Sequence, residues 1–228
     1  MKTLILIPAY NEELNLEKVV NGIKSSCPGF DYVIINDGST DGTEALCKRN
    51  GFNFVTLATN LGFSGAVQTG YKFAVVHGYD VVAQIDGDGQ HPVESIPDMV
   101  RLVAGGQCDY VLGSRFVSRK KPASMRMLGS RLIAGLIRIR TGKTVADPTS
   151  GMRVVRAEIA KKMAASLNFI AEPDTLTRVL LNGYKVREVQ VQMRDREFGV
   201  SHFGNPFNSM KYMLRMAISI LFYQGRTW

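Results

Sequence analysis

Short apolar runs at Thr3–Ile7, Tyr32–Ile35, Phe54–Leu57, Val81–Ile85 and Tyr110–Leu112 recur along the first half of the chain, each bounded by turn residues. Helical patterns fill the intervals, at about Glu13–Ser26, Asp41–Asn50, Ser64–His77 and Pro92–Ala104. Parallel strands cannot be joined by tight turns and need a crossover, usually a helix. The alternation therefore predicts βαβ units and an α/β fold with a mostly parallel, Rossmann-like sheet flanked by helices. In such sheets ligands gather beyond the carboxyl ends of the strands. Pro8, Tyr10 and Glu12 follow the first run, Asn36-Asp37-Gly38-Ser39 the second, Asn60-Leu61-Gly62 the third, and Asp86 and Asp88 the fourth. Further on, helices are expected near Arg156–Ala165 and Ala171–Asn182, with an alternating strand at Lys185–Val191.

The segment Asp86-Gly87-Asp88-Gly89-Gln90-His91 concentrates the chemistry. Two carboxylates one residue apart, with the amide oxygen of Gln90 close by, suit a hard divalent cation, Mg2+ or Mn2+. Such ions take a few protein oxygens and complete their coordination with substrate phosphates. Glycine between the aspartates lets a metal-bound diphosphate approach the backbone closely. The plainer reading is a solvated turn that caps the helix beginning near Pro92. His91 reads as a helix-start residue or a support behind the ligands, since His77, His91 and His202 form no close metal pair.

Several other chemistries are excluded. Gly62-Phe63-Ser64-Gly65 is not a GxGxxG turn, and no GxxxxGK[ST] loop occurs, which argues against a dinucleotide-dependent dehydrogenase and a P-loop enzyme. Cys27, Cys47 and Cys108 are odd in number and widely spaced, giving neither a disulfide framework nor a zinc knuckle, and a reducing, cytoplasmic compartment fits them. Met1–Pro8 holds only a short apolar run and reads as a first strand, not as a secretion signal.

Charge divides the chain. Residues 1–111 carry 7 Lys and Arg against 13 Asp and Glu, whereas residues 112–228 carry 21 against 7. Between Asp109 and Asp147 there is no acid, and nine cations fall there, from Arg115 to Lys143. The second half is thus built to meet an anion: nucleic acid, a phosphorylated substrate or an anionic membrane surface. Met125, Leu128, Leu132, Ile133, Leu136, Ile137 and Ile139 recur at helical spacing among those cations. That pattern fits an interfacial amphipathic helix, and equally a helix packed on the core with its cations in water. The segment Asn208–Tyr223 repeats it, with Lys211 and Arg215 among Met210, Met213, Leu214, Ala217, Ile218 and Leu221. It is too short and interrupted to span a bilayer, which takes about 20 apolar residues.

Taken together, Pro8-Ala9-Tyr10-Asn11-Glu12, Asn36-Asp37-Gly38-Ser39-Thr40-Asp41, Asn60-Leu61-Gly62 and Asp86-Gly87-Asp88-Gly89-Gln90-His91-Pro92 resemble the inverting glycosyltransferases of family two, which adopt the GT-A fold. The likeness is nearest to the dolichol-phosphate and polyprenyl-phosphate sugar synthases. It extends through Gly113-Ser114-Arg115-Phe116, Ser130-Arg131, Asp147–Arg153 and Arg196–Ser201. Three departures stand out. Asn36 replaces the first aspartate of the usual Asp-Asp-Gly-Ser, His202 stands where a lysine is usual, and no transmembrane run occurs up to Trp228.

The resemblance implies a single catalytic domain over residues 1–204, with a nucleotide-sugar half at 1–115 and an acceptor half at 116–204, followed by an amphipathic C-terminal segment at 205–228. Pro8, Tyr10, Glu12 and Asp37 would hold the nucleoside of a UDP- or GDP-linked sugar. Asp86, Asp88 and Gln90 would hold the metal, and Arg115 and Arg131 would clamp phosphates. Asp147, Arg153, Arg196 and Ser201 would face the acceptor, polyprenyl phosphate. Access to the lipid is expected at the inner face of the cell membrane, through the amphipathic segments or a separate membrane protein, with no nucleic-acid partner. An alternative is a polysaccharide glycosyltransferase acting on a sugar hydroxyl, whose proton would need a base. Glu172 or Asp174 could supply one, and both also read as helix N-terminal acids.

Overall fold

The computed structural model describes residues 1–167, 169–171, 173–195, 198 and 213–223. Seven strands, β1 (Thr3–Ala9), β2 (Asp31–Asn36), β3 (Phe54–Thr56), β4 (Val81–Gln84), β5 (Tyr110–Ser114), β6 (Arg153–Arg156) and β7 (Val186–Gln190), form one sheet in the order β3-β2-β1-β4-β6-β5-β7. β1 pairs in parallel with β2 and β4, β2 with β3, and β5 with β7. All seven residues of β1 are buried, as befits a central strand covered on both faces. Side chains alternate across it. Ile5 and Ile7 pack with the helix on one side, α1 (Leu16–Ser26), and with α4 (Ile96–Ala104). Leu4 and Leu6 pack with α3 (Gly62–Val76) and with α6 (Ala157–Ala165) on the other. A short α2 (Thr43–Arg49) links β2 to β3.

The expected strands and helices are present, and one further strand is not foreshadowed. β6 lies antiparallel between β4 and β5, with Val82 opposite Val155 and Val111 opposite Val154. Its sequence, Arg-Val-Val-Arg, is too short for a visible period and begins and ends in charge. Its place comes from two long-range ladders.

In the cationic segment, α5 (Met125–Thr141) is framed by local chemistry. The Ser124 hydroxyl accepts the Met127 N–H at 3.3 Å, and Gly142 closes the helix at φ 68°. Its apolar residues divide between a face packed on the core and a face left in solvent. Met127, Ile133 and Ile137 are buried, while Leu128, Leu132 and Ile139 are exposed. Residues 213–223 form a helix whose last turn, Ser219–Tyr223, is a π-helix. It buries Met216 and Ile220 in the cluster that holds Ile133 and Ile137, beside α7 (Pro173–Leu181), and leaves Leu214, Ile218 and Leu221 exposed. No helix among the described residues is long and apolar enough to cross a membrane.

At β1 the order of connection reverses, with β2 and β3 to one side and β4 to the other. That reversal opens a crevice at the carboxyl ends of β1, β2 and β4.

Candidate active site

A cavity of about 810 Å³ occupies this crevice. Its lining includes Pro8 near the end of β1, Tyr10 and Glu12 just after it, and Asp37 just after β2. Asp37 is buried, and its Oδ1 accepts the Leu61 N–H at 2.7 Å, which ties the loop after β2 to the loop after β3. Gly38, at φ 66°, lies between them; a Cβ there would stand 2.9 Å from the Asn60 nitrogen. Asn36 is fully buried and turned to the protein itself. Its Nδ2 donates to Thr56 Oγ1 and its Oδ1 accepts the Ser39 N–H, both at 3.2 Å, so the neutral residue serves the loop and does not line the cavity. Asn11 was not singled out by its sequence, yet it holds the same loop. At φ 56° its Oδ1 accepts the Thr40 N–H at 2.8 Å, a left-handed conformation that asparagine tolerates.

Asp86, Asp88 and Gln90 line the cavity together, directly after β4. Gly87 sits close to β1, where a Cβ would lie 3.2 Å from the Pro8 carbonyl oxygen. Asp88 Oδ1 accepts the Gln90 N–H at 3.1 Å across Gly89, which adopts φ 76°. The Gln90 amide nitrogen donates to the Arg194 carbonyl at 3.2 Å. His91 is the support behind Asp86. The Asp86 N–H donates to its Nδ1 at 2.8 Å, so the neutral ring carries its proton on Nε2, which lies 3.8 Å from Asp86 Oδ2. Among the described residues no group of three or more His, Cys, Asp or Glu is placed to hold a metal. Two carboxylates and an amide remain, all oxygen donors, which is a set suited to a hard cation that takes its other ligands from phosphate.

Arg115, directly after β5, lines the same cavity. Asp147, with no exposure, accepts its backbone N–H at 3.0 Å, its Nε at 2.7 Å and its Nη2 at 2.8 Å. The loop carrying Asp147 is pinned in turn by Glu188 of β7, whose two oxygens accept the N–H groups of Ala146 at 2.6 Å and Asp147 at 2.8 Å. Asp147 thus acts through Arg115 and does not itself line the cavity. Thr149, Ser150 and Gly151 do.

Arg131 is not brought to this cavity. It is exposed on α5, and its Nη2 donates to the Lys121 carbonyl at 2.7 Å. One residue is 100° of helix, and it is the buried Ser130 that turns inward, 3.5 Å from Thr149 Oγ1 and accepting Lys121 Nζ at 2.8 Å. Burial holds the Lys121 ammonium below the usual lysine range; Asp147 pulls it back up, and Arg115 and Arg131 push it further down. Arg153 opens β6 and is buried, its Nε donating to the Ser150 carbonyl at 3.1 Å, and it too is absent from the cavity wall. Asp174 is fully buried, faces Arg178 Nε at 3.2 Å and accepts the Ser219 hydroxyl, away from the cavity. Glu172, Arg196, Ser201 and His202 lie outside the described residues.

The profile of Glycosyl transferase family 2 matches residues 4–164. Polyprenol monophosphomannose synthase of Mycolicibacterium smegmatis is 30% identical over 230 residues, covering 95% of this chain and 86% of that protein. Undecaprenyl-phosphate mannosyltransferase of Micrococcus luteus is 29% identical, covering 88% of this chain and 87% of that one. Among solved structures, glucosyl-3-phosphoglycerate synthase from Mycobacterium tuberculosis, in complex with Mn2+, UDP and phosphoglyceric acid, superposes with a TM-score of 0.73 at 22% identity, over 100% of this chain and 79% of that one. The likeness establishes the architecture, a GT-A fold.

Proposed function

The chain belongs to Glycosyl transferase family 2, and from that premise we propose that it moves one sugar from a nucleoside-diphosphate sugar to polyprenyl phosphate, inverting the anomeric centre with the help of a divalent metal. The observation that carries this reading is the shared cavity. Its walls bring together Tyr10 and Asp37 for a nucleoside, Asp86, Asp88 and Gln90 for a metal, and Arg115 for phosphate. The relatives whose names specify polyprenol and undecaprenyl-phosphate substrates support the choice of acceptor.

A bound Mg2+ or Mn2+ would neutralise the charge that gathers on the nucleoside diphosphate as it leaves. The protein does the positioning. Asp37 and Tyr10 fix the nucleoside end, and Arg115, itself held on Asp147, offers phosphate a guanidinium of set orientation. A phosphate acceptor arrives as an anion and needs no strong base. In keeping with this, Asp174, the described half of the candidate base pair, is engaged with Arg178 and Ser219. We assign residues 1–115 to the donor and 116–204 to the acceptor. The exposed Leu128, Leu132, Ile139, Leu214, Ile218 and Leu221, with Arg131, Arg138 and Arg140 nearby, form the face that would lie on an anionic membrane surface.

Calorimetry of UDP and GDP with Mn2+ tests the donor side and names the base. Asp88→Ala should abolish metal-dependent nucleotide binding and leave the fold intact, because this side chain packs little. A variant that keeps nucleotide affinity in Mn2+ and still turns over would remove Asp88 from the metal site.

A further inference from the structure

The cavity holds few cations, and their commitments differ. Among the described residues its lining includes the arginines Arg115 and Arg215. The charge of Arg115 is met by the fully buried Asp147. Arg215 has no ion pair or hydrogen bond with any described residue, and it is exposed at the mouth. It belongs to the helix at 213–223, beyond residues 4–164 that the family profile matches.

That helix is fixed, so the position of Arg215 is set by packing. Met216, the next residue, is buried and lines the cavity together with Phe169, Ile170 and Ala171, its neighbours in the apolar cluster. Three residues on, the Ser219 hydroxyl donates to the buried Asp174. On the side facing α5, the Met213 sulfur fills the place that a Cβ on Gly129 would take. Arg215 therefore stands where an apolar wall of the cavity meets solvent, in the same cavity as the carboxylates that follow β4. Outward from it, Leu214 and Ile218 are exposed on the same helix, with Leu128 and Leu132 exposed on α5.

We propose that Arg215 binds the phosphate of the acceptor, a phosphate monoester whose apolar chain leaves along the exposed leucines and isoleucine of the two helices. The assignment rests on the lipid-phosphate reading above and adds to it the residue that reads the head group. A guanidinium without an internal partner gives a forked, fully available donor to a phosphate dianion, which a guanidinium already bound to a buried carboxylate cannot match. The adjoining apolar wall accounts for an acceptor that is both anionic and greasy.

The test is calorimetric titration of the full chain with farnesyl phosphate, farnesol, inorganic phosphate, and nucleoside diphosphate with Mn2+. Arg215→Ala should weaken farnesyl phosphate by roughly tenfold or more, as expected for loss of charge-assisted hydrogen bonds. It should leave farnesol and the Mn2+ nucleotide within about twofold, with Arg215→Lys recovering part of the loss. Inorganic phosphate, lacking the chain, should bind the parent more weakly than farnesyl phosphate. Unchanged affinity of Arg215→Ala for farnesyl phosphate overturns the proposal. So does an equal loss for the nucleotide, which would move Arg215 to the donor. Inorganic phosphate binding as tightly as farnesyl phosphate overturns the part played by the apolar wall. A parent that binds nucleotide with Mn2+ but no farnesyl phosphate overturns the lipid acceptor itself, and Arg215 with it.

Discussion

Gly151→Ala isolates the geometry of the strand end proposed to bind the metal from its charge. A Cβ at residue 151 would stand 2.9 Å from Asp86 Oδ2, 3.2 Å from Asp86 Oδ1 and 3.2 Å from His91 Cε1, where ordinary contact begins at 3.4 Å. His91 is buried and tied to the Asp86 backbone, so it cannot retreat. The Asp86 carboxylate is 32% exposed and can. It should swing by about half an ångström, beyond the roughly 0.2 Å tolerance of metal–ligand distances. We expect Mn2+ affinity in the presence of nucleoside diphosphate to fall about 10- to 100-fold, as for other lost supports of a ligand, or roughly 1.4 to 2.7 kcal/mol. Gly151 is not in the left-handed region, so alanine adds no backbone strain, and the unfolding midpoint should barely move. Calorimetry or electron paramagnetic resonance of Mn2+ reads the first quantity, and competition by free nucleoside should stay at the parent value. Mn2+ affinity within twofold of the parent would show that residue 151 does not set the position of Asp86.

Asp174→Asn should keep turnover within roughly tenfold of the parent while lowering unfolding free energy by about 1–3 kcal/mol, the cost of leaving a buried partner such as Arg178 unsatisfied; a loss of several orders of magnitude, with transfer to a sugar hydroxyl detected, would favour the polysaccharide reading. Burial pushes the thiols of Cys27 and Cys47 up to about 11 from 9.0, with Glu94 and Glu44 adding to the rise. Below pH 9 both thiols are protonated whether folded or not and their contribution is fully present; above it the unfolded chain ionises first, so stability should drop between pH 9 and 11. Melting curves across that range should be visibly flatter for Cys27→Ser/Cys47→Ser, and equal slopes would contradict the burial argument.

The parallel strands and their helices were legible because each is a local pattern, an apolar run or a helical period that the chain carries with it. The strand-end residues followed, since the position of Asp37, Asp86 and Asp88 after their strands is itself sequence information. What escaped depends on contacts between distant residues. β6 is four residues long and exists through its pairing with β4 and β5. Asn36, which stands in place of the usual first aspartate, is a loop brace, a role that needs the position of Thr56 to be seen. Arg131 and Ser130 share a motif, and only the rotation of α5 decides which of them turns inward. Glu188 gave no signal, and Gly151 was legible only as part of the Asp147–Arg153 motif, since the role of a single carboxylate in a strand or a single glycine in a loop is open until its neighbours across the sheet are known.

The Arg115–Asp147 pair carries a consequence for how such a chain can change over time. Residues 116–146 leave the sheet after β5 and return ahead of β6, and the neck of this excursion is clasped by Arg115 and Asp147, with Glu188 of β7 fastening the returning loop. Ile133 and Ile137 stay bound to the core shared with β1, but the outward face of α5 beyond the clasp can vary without shifting Asp86, Asp88 or Asp37, which are anchored to other strands. Exchanging the exposed residues of that face between relatives would then alter what it meets, while the proposed donor half remains as it was.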